Sequence, residues 1–490
     1  MIKNDSYNWV KGGEPLYPDA HTHLGAILGG ENMEKYSDIF PVLCLIFLDI
    51  NTRYITTGNF NALFRYDEDP ADKGAAAVMT IARKKLFESH RAKAAKLPKK
   101  KAVMLSSTFV HNPRYTATIA QFKKLKDTTH ILSVCDVRPE ISRKGIKLNS
   151  MHYTSQPIVL EDSVSGKKLK WVILEVASFL AQLIKDGKTC ADYAEKADKL
   201  LSALQQEYTL RINWLCEKLS AFEIERYITI NQYSLREVMI LDACHRLGIP
   251  TRQMEHHSSW CMHPSHRPVP IYRYAYTDSF GCWSESDLHF HKNFYCYQPM
   301  FGQQVELYTV GNPEVTTEKG HAEYAKYTPK NQIVYMVSGI MDENNQQLFD
   351  TNFAMQQRIF AQLAKLKEKT GWEVLVRFPP AINPKMMAKC TPVLEGMGIK
   401  VSQSIAGTLM EDMCTSRVVF GTISSVLSTA VIMGRKVYRI VAEGFEPLYT
   451  EEEITSVAID DIENIADDWS SYPLPLEEKR FINYNLLLKD

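Results

Sequence analysis

The chain has 490 residues, of which 45% are hydrophobic and 23% charged, a composition typical of folded globular proteins. This length exceeds what one hydrophobic core usually covers and predicts two domains. Lysine plus arginine and aspartate plus glutamate both total 57, so no overall field favours nucleic acid or an anionic membrane. The ten cysteines lack C-x-x-C spacing and the first residues lack a signal-peptide pattern, which predicts a reducing, cytoplasmic location.

The first segment that suggests chemistry is "LYPDAHTHLGAILGG", from Leu16 to Gly30. Its Asp-Ala-His-Thr-His run resembles the opening of many metal-dependent amidohydrolases, in which His21 and His23 would leave a barrel strand and hold a metal ion. The preceding "WVKGGEPLYP" has two glycines and two prolines and does not read as a buried barrel strand. We therefore expect a polar surface loop, with a metal-dependent hydrolase as an alternative function.

The most apolar segment is "IFPVLCLIFLDI", from Ile39 to Ile50. It falls short of the roughly 20 residues that a bilayer crossing needs, and we interpret it as a buried strand. Farther on, "KAVMLSSTFV" and "THILSVCDV" predict two strands joined by a helix. Apolar residues at three- and four-residue spacing between Leu169 and Leu219 then predict long amphipathic helices.

Strands and helices alternate through the rest of the chain. A helix from about Ser234 to Leu247, a Gly-Ile-Pro turn and a short strand ending at His256 form one parallel crossover unit. A second series begins at "NQIVYMVSG" and continues through "WEVLVRFPP", "GIKVSQ", "RVVFGTISS" and "GRKVYRIVA". This pattern predicts an α/β fold with two open parallel sheets, which bind ligands at the carboxyl ends of their strands.

The segment "EHHSSWCMHPSHRP" is rich in possible metal ligands, namely His256, His257, Cys261, His263 and His266. Zinc sites usually pair ligands at fixed short spacings on two separate segments, and no second cluster is visible in the sequence. We therefore expect a loop that lines the binding cleft, and no metal.

Five segments follow one another in a suggestive order: "LDACHRLGIPTRQMEHH", "YAYTDSFGCWSES", "YTVGNPEV", "VLVRFPP" and "RVVFGTISSVLSTAVIMGRKVYRI". Their order and spacing resemble the motifs of bacterial surface and capsular polysaccharide glycosyltransferases, a family related to polyol-phosphate transferases and CMP-sugar transferases. The resemblance covers about Glu225 to Ile440. Glu255, His256 and His257 stand where the family has Gln-His-Gly, and Pro379 replaces the histidine of its Arg-x-His-Pro motif.

The resemblance implies a GT-B architecture, with two Rossmann-like domains facing each other across a cleft. We place the acceptor domain at residues 101–325 and the nucleotide-donor domain at 326–490, after an N-terminal region, 1–100, of open role. The implied activity transfers a sugar from a nucleotide-activated donor, for which a CMP-linked sugar is a candidate, to a glycan or lipid-linked glycan. Polyol-phosphate transfer is the less favoured activity. We expect no cofactor, no nucleic-acid partner and at most a peripheral contact with the inner face of the membrane.

The acceptor side requires a base that deprotonates a hydroxyl group. His256, at a strand end beside Glu255, suits this role because imidazole titrates near neutral pH. The alternative is a histidine whose hydrogen bonds are satisfied by the backbone. Because Pro379 replaces the expected histidine, a non-catalytic glycan- or nucleotide-binding protein is a further alternative.

The donor side requires groups that hold phosphate. Ser424 and Ser425 lie between the strand "RVVFG" and a helix, where backbone N–H groups and two hydroxyls can bind an anion. Helix capping by one serine, without any ligand, is the alternative. Ser338 and Gly339 leave the first strand of the second domain in a similar way, and Arg377, at the end of "WEVLVR", could pair with a phosphate.

Overall fold

The protein is described by a computed structural model that covers residues 10–11, 14–15, 20–50, 102–106, 130–134, 139–142, 145–148, 156–158, 167–220, 222–230, 235–255, 277–285, 287–288, 305–312, 324, 326–337, 346–379, 384–402, 409–422, 424–441, 453–465 and 468–475. Two short antiparallel strands come first, β1 (Val10–Lys11) and β2 (Glu14–Pro15). Three helices follow, α1 (Ala20–Leu28), α2 (Gly30–Lys35) and α3 (Phe40–Asp49).

The first sheet has seven parallel strands. In chain order, its strands are β3 (Ala102–Leu105), β4 (His130–Val134), β7 (Gln156–Ile158), β8 (Ile224–Thr229), β9 (Thr251–Met254), β10 (Ser279–Cys282) and β11 (Glu306–Thr309). Between β4 and β7 the chain forms a separate antiparallel hairpin of β5 (Pro139–Ser142) and β6 (Gly145–Leu148). The spatial order of the seven strands is β11-β10-β9-β8-β3-β4-β7. Strand order therefore reverses between β3 and β8, as in a doubly wound Rossmann sheet.

Helices α4 (Lys167–Asp186), α5 (Ala194–Leu219) and α6 (Leu235–Arg246) accompany this sheet. A capping box precedes α5, because the Thr189 backbone N–H donates to Asp192 Oδ2 at 2.7 Å and the Thr189 side chain caps in return. The apolar faces of these helices form one core cluster with α1, α3 and the strand residues Met104 and Tyr227. The N-terminal helices therefore belong to the core of the first sheet.

The second sheet has six parallel strands, β12 (Lys330–Met336), β13 (Glu373–Arg377), β14 (Lys400–Ser402), β15 (Ser416–Gly421), β16 (Lys436–Val441) and β17 (Ile454–Ala458). They are connected by α7 (Gln346–Thr370), α8 (Pro384–Gly396), α9 (Leu409–Thr415) and α10 (Ser425–Ile432). The spatial order is β14-β13-β12-β15-β16-β17, again with a reversal between the first and fourth strands. The predicted α/β class with two parallel sheets is confirmed.

Both faces of the second sheet are buried, which explains its continuous apolar runs. Phe420 and Tyr438 face the cluster that contains residues of α7 and α8. Val419 and Val437, each one residue earlier along the same strands, face the cluster of α9 and α10. The segment 468–475 also joins this core, because Trp469 is buried and its Nε1 donates to the Tyr438 hydroxyl at 2.9 Å.

Two predictions for the N-terminal region are wrong. Residues 40–49 form helix α3 and not a strand, and positions 21 and 23 lie in helix α1 and not in a surface loop. Pro41 stands in the first turn of α3, where its missing N–H has no partner to lose. Residues 41–47 are all buried, so the helix needs no polar face and its sequence lacks helical periodicity.

Within the described parts of the chain, no helix combines the length and the apolar character that a membrane crossing requires.

The burial of α3 predicts that it stabilises the first sheet. Leu43, with 1% of its surface exposed, lies in the core cluster. Leu43→Ala should lower the free energy of unfolding by about 2–5 kcal/mol, because it leaves a cavity that the core fills only partly. Urea denaturation followed by circular dichroism measures this loss. Glu34→Ala, at an exposed position of α2, is the control and should change stability by less than about 0.5 kcal/mol. Equal effects of the two changes would contradict the burial of α3.

Candidate functional site

The candidate site lies at the point where strand order reverses in the second sheet. Here β12 pairs with β15, and Met336 is in register with Gly421 near their carboxyl ends. The chain leaves β12 towards β13 on one side and leaves β15 towards β16 on the other, so the two connections diverge. Such a divergence opens a crevice at the carboxyl edge of a parallel sheet. Ser338 and Gly339, predicted to lie here, are outside the described residues.

Gly421 fits this crevice because it has no side chain. A Cβ atom at this position would lie 3.0 Å from Leu427 Cδ2 and 3.5 Å from the Met336 carbonyl oxygen. The first contact is tighter than side chains normally allow, so a larger residue would force the Leu427 side chain, in the first turn of α10, to shift by a few tenths of an ångström. Glycine therefore lets the first turn of α10 approach the ends of β12 and β15.

Ser424 is the N-cap of α10. Its backbone is extended (φ −165°, ψ 135°), and its Oγ accepts a hydrogen bond from the Val426 N–H at 3.2 Å. The capping alternative is therefore realised at Ser424, although the hydroxyl keeps its own proton for donation to a ligand. Ser425 is the first residue of α10, and its side chain lies outside what the structure describes. Within this first turn, the backbone N–H of Val426 bonds to Ser424 Oγ and that of Leu427 bonds to the Ser424 carbonyl oxygen at 3.1 Å.

Arg439 adds a positive charge beside Gly421 and was missed by the sequence-based prediction. It lies on β16 in register with Gly421, and only 2% of its surface is exposed. Because Val437, two residues earlier, belongs to the core cluster of α10, Arg439 lies on the α10 side of the sheet. A charged residue inside the apolar strand "KVYRIV" was the available signal.

Arg377 is engaged in a buried ion pair. Its Nη1 lies 2.5 Å from Asp412 Oδ2 and 3.4 Å from Ser402 Oγ, and Ser402 Oγ also donates to Asp412 Oδ2 at 2.5 Å. The three side chains tie β13 to β14 and α9. A phosphate contact by Arg377, as predicted, would have to share the guanidinium with Asp412. This geometry favours a structural role for Arg377.

Glu255 anchors the carboxyl ends of β9 and β10 in the first sheet. Its Oε2 accepts the backbone N–H of Trp283 at 3.0 Å, and its own N–H donates to the Gly281 carbonyl at 2.9 Å. With 1% of its surface exposed, Glu255 is placed to hold the strand end and not to meet solvent. His256 and the histidines that follow it lie outside the described residues, so the role of His256 stays a prediction.

A contact joins the two sheets close to the crevice. Asn312, which follows β11 and the left-handed Gly311 (φ 95°), directs its Nδ2 towards Thr429 Oγ1 of α10 at 3.5 Å. Both side chains are buried. The residues after β11 of the first unit, meaning the first sheet with its helices, therefore contact α10 of the second unit, meaning the second sheet with its helices.

Metal ligands do not cluster in the described part of the chain. No group of three His, Cys, Asp or Glu side chains converges there in a way that could hold a metal ion. The side chains of His21 and His23 are not among those that the structure describes, but both residues lie in helix α1 and not at the strand end on which the amidohydrolase resemblance depended.

Comparisons with known proteins give structural likenesses only. No family model matches the sequence, and no curated protein matches it significantly. Among solved structures, the UDP-GlcNAc 2-epimerase of Methanocaldococcus jannaschii is 10% identical with a TM-score of 0.41 over 79% of this chain and 95% of that one. The UDP-GlcNAc 2-epimerase of Neisseria meningitidis is 10% identical, with a TM-score of 0.39 over 74% and 89%. A glycosyltransferase of Rickettsia africae is 10% identical, with a TM-score of 0.40 over 75% and 86%. These values carry no conclusion about the ligand or reaction of this chain.

The Arg377–Asp412 pair predicts a stability effect. Asp412→Ala should lower the free energy of unfolding by about 3–5 kcal/mol, because it leaves the Arg377 guanidinium buried without its carboxylate. Thermal and urea unfolding measure the loss. Glu411→Ala is the matched control, since Glu411 is exposed in the same turn of α9 and should change stability little. An Asp412→Ala protein as stable as the Glu411→Ala control would show that the pair is not structural.

Proposed function

We propose that the chain is a glycosyltransferase that moves a sugar from a nucleotide-activated donor to a cell-surface polysaccharide acceptor. The observation that carries the proposal is the turn from Gly421 to Ser424 at the reversal point of the second sheet. It combines a close backbone approach, the start of α10 and the buried Arg439. These are the features that a phosphate group needs, namely N–H donors, hydroxyl donors and positive charge.

In the proposed reaction, the second unit holds the phosphate of the donor. Negative charge grows on this phosphate as the bond to the sugar breaks, and fixed N–H donors stabilise it without having to reorganise. The positive end of α10 and Arg439 would supply the positive potential that a metal ion supplies in other transferases. A CMP-linked donor, with a single phosphate, remains the candidate that the sequence resemblance suggests.

The first unit would supply the acceptor chemistry. Glu255 fixes the end of β9, and His256 is the next residue along the chain. We propose that His256 removes the proton from the attacking hydroxyl group of a glycan or lipid-linked glycan. The acceptor class places the enzyme in the cytoplasm, with a peripheral contact at the inner face of the membrane.

Nucleotide binding is the first test of this proposal. A thermal-shift screen against CMP, CDP, UDP and GDP should identify a stabilising nucleotide, because a ligand that binds only the folded state raises its stability. Ser424→Ala with Ser425→Ala should weaken its binding by about 1–3 kcal/mol through loss of two anion contacts. Gly421→Val should weaken it further by displacing Leu427 in the first turn of α10. Calorimetry measures these affinities, with Ser178→Ala on the exposed face of α4 as the control. Equal nucleotide affinity in all variants would contradict the proposed nucleotide site.

Turnover tests the role of His256. His256→Ala should reduce transfer by about 10²–10⁴, the usual size of general-base catalysis, while nucleotide affinity stays nearly unchanged. His245→Ala, at an exposed position in the last turn of α6, is the control and should keep full activity. Normal turnover of His256→Ala would exclude it as the base. A loss of donor affinity as large as in the serine variant would instead place His256 in the donor site.

A further inference from the structure

Two arginines lie side by side at the amino end of the second sheet. The ladder between β15 and β16 pairs Val418 with Lys436. Arg417 and Arg435 each come one residue earlier and therefore lie opposite each other at the start of these two strands. Neighbouring strands lie about 4.8 Å apart, which keeps the two backbones close. Burial lowers the pKa of the Arg435 guanidinium, contact with Cys414 partly opposes this, and the nearby charge of Arg417 lowers the pKa a little further.

Arg435 is buried, and among the described residues no acidic side chain balances its charge. Only 8% of its surface is exposed, and its Nε and Nη1 have no hydrogen-bond partner within the described residues. The guanidinium does contact the Cys414 thiol. Burial raises the pKa of Cys414 to about 11, so this partner is a neutral thiol at neutral pH. Cys414 therefore cannot balance the positive charge.

Arg417 also meets neutral partners. Its Nη1 donates to the Ser470 carbonyl at 2.7 Å and to the Tyr472 carbonyl. The same C-terminal segment closes over the start of β16, where the Leu474 N–H donates to the Gly434 carbonyl at 2.8 Å. Gly434 adopts a left-handed conformation (φ 70°), and a Cβ atom there would collide with the Leu474 carbonyl oxygen. The segment 468–475 thus forms one wall beside the two arginines.

A buried guanidinium next to a second one carries a high electrostatic cost. The penalty for burying one ion without a partner is several kcal/mol, and a like charge beside it adds to this cost. Among the residues that the structure describes, no carboxylate forms an ion pair with Arg417 or Arg435. An anion from solution would remove the penalty and use the orphaned N–H groups of Arg435.

We propose that Arg417 and Arg435 form a binding site for a doubly charged oxyanion of the phosphate class. The charge of a phosphate dianion balances two guanidinium groups, and the planar fork of arginine matches its oxygen atoms. Arg417 and Gly421 are four residues apart on β15, so the two sites are separated by about 13 Å along the strand. The anion site is therefore distinct from the proposed nucleotide site and does not depend on it.

The test measures the melting temperature of the full chain in inorganic phosphate and in chloride at equal ionic strength. Phosphate should raise the melting temperature of the unchanged protein specifically, because it binds the folded state alone. Arg435→Met should be at least as stable as the unchanged protein in chloride, since it removes an unbalanced buried charge, and should lose the phosphate response. Its phosphate affinity should be weaker by about 10- to 100-fold, as expected for loss of a charge-assisted hydrogen bond.

One control separates this site from the charge around it. Lys436→Met removes the next cation along β16 and should keep the phosphate response. The proposal is overturned if the melting temperature of the unchanged protein is the same in phosphate as in chloride. This outcome would mean that the two arginines need no phosphate, because another part of the chain already neutralises them. It is also overturned if Arg435→Met keeps the full phosphate response. If Arg435→Met does not fold, Arg435→Lys is measured instead. Unchanged phosphate affinity in that variant would also overturn the proposal.

Discussion

The parallel pairing of β12 with β15 is the constraint on which the candidate site depends. These strands are neighbours in space but are separated in sequence by two further strands, which fill the sheet on the other side of β12. Their connections must therefore leave the carboxyl edge in opposite directions. The resulting gap cannot be filled by either connection, and Gly421 lets the first turn of α10 lie close to its border. The sheet order thus creates the crevice, and the local sequence gives it donors.

Two buried arginines of the second unit, Arg377 and Arg435, differ in how their charges are balanced. Arg377 has a carboxylate and a hydroxyl from two neighbouring elements, so its charge is balanced within the protein. Arg435 has only a neutral thiol among the partners that the structure describes. Burial of a charge is tolerated when a partner of opposite charge accompanies it, and a guanidinium without one calls for a ligand. Burial alone is therefore a poor sign of function, and the identity of the partner decides between a structural pair and a ligand site.

Much of the sheet could be predicted because strands buried on both faces have continuous apolar runs bounded by turns, as in "RVVFG" and "QIVYMV". The same property misled the prediction for residues 39–50, since a helix enclosed in the core is equally apolar. Pro41 favoured the helix but is a weak signal by itself. The sequence-based prediction for Arg377 missed its ion pair for a different reason. Asp412 lies 35 residues away in sequence, and only the fold brings it to the guanidinium.

The contact between Asn312 and Thr429 links the two halves of the proposed chemistry. Thr429 lies one helical turn after the capped start of α10, so any displacement of this helix moves both the Asn312 contact and the first-turn N–H groups. Asn312 in turn follows β11, whose ladder with β10 runs to the strand end that Glu255 holds. Hydrogen bonds and short chain segments therefore connect the end of β9 with α10. Transfer between a donor on one unit and an acceptor on the other needs such a fixed separation, because the reacting atoms must approach to about 3–3.5 Å.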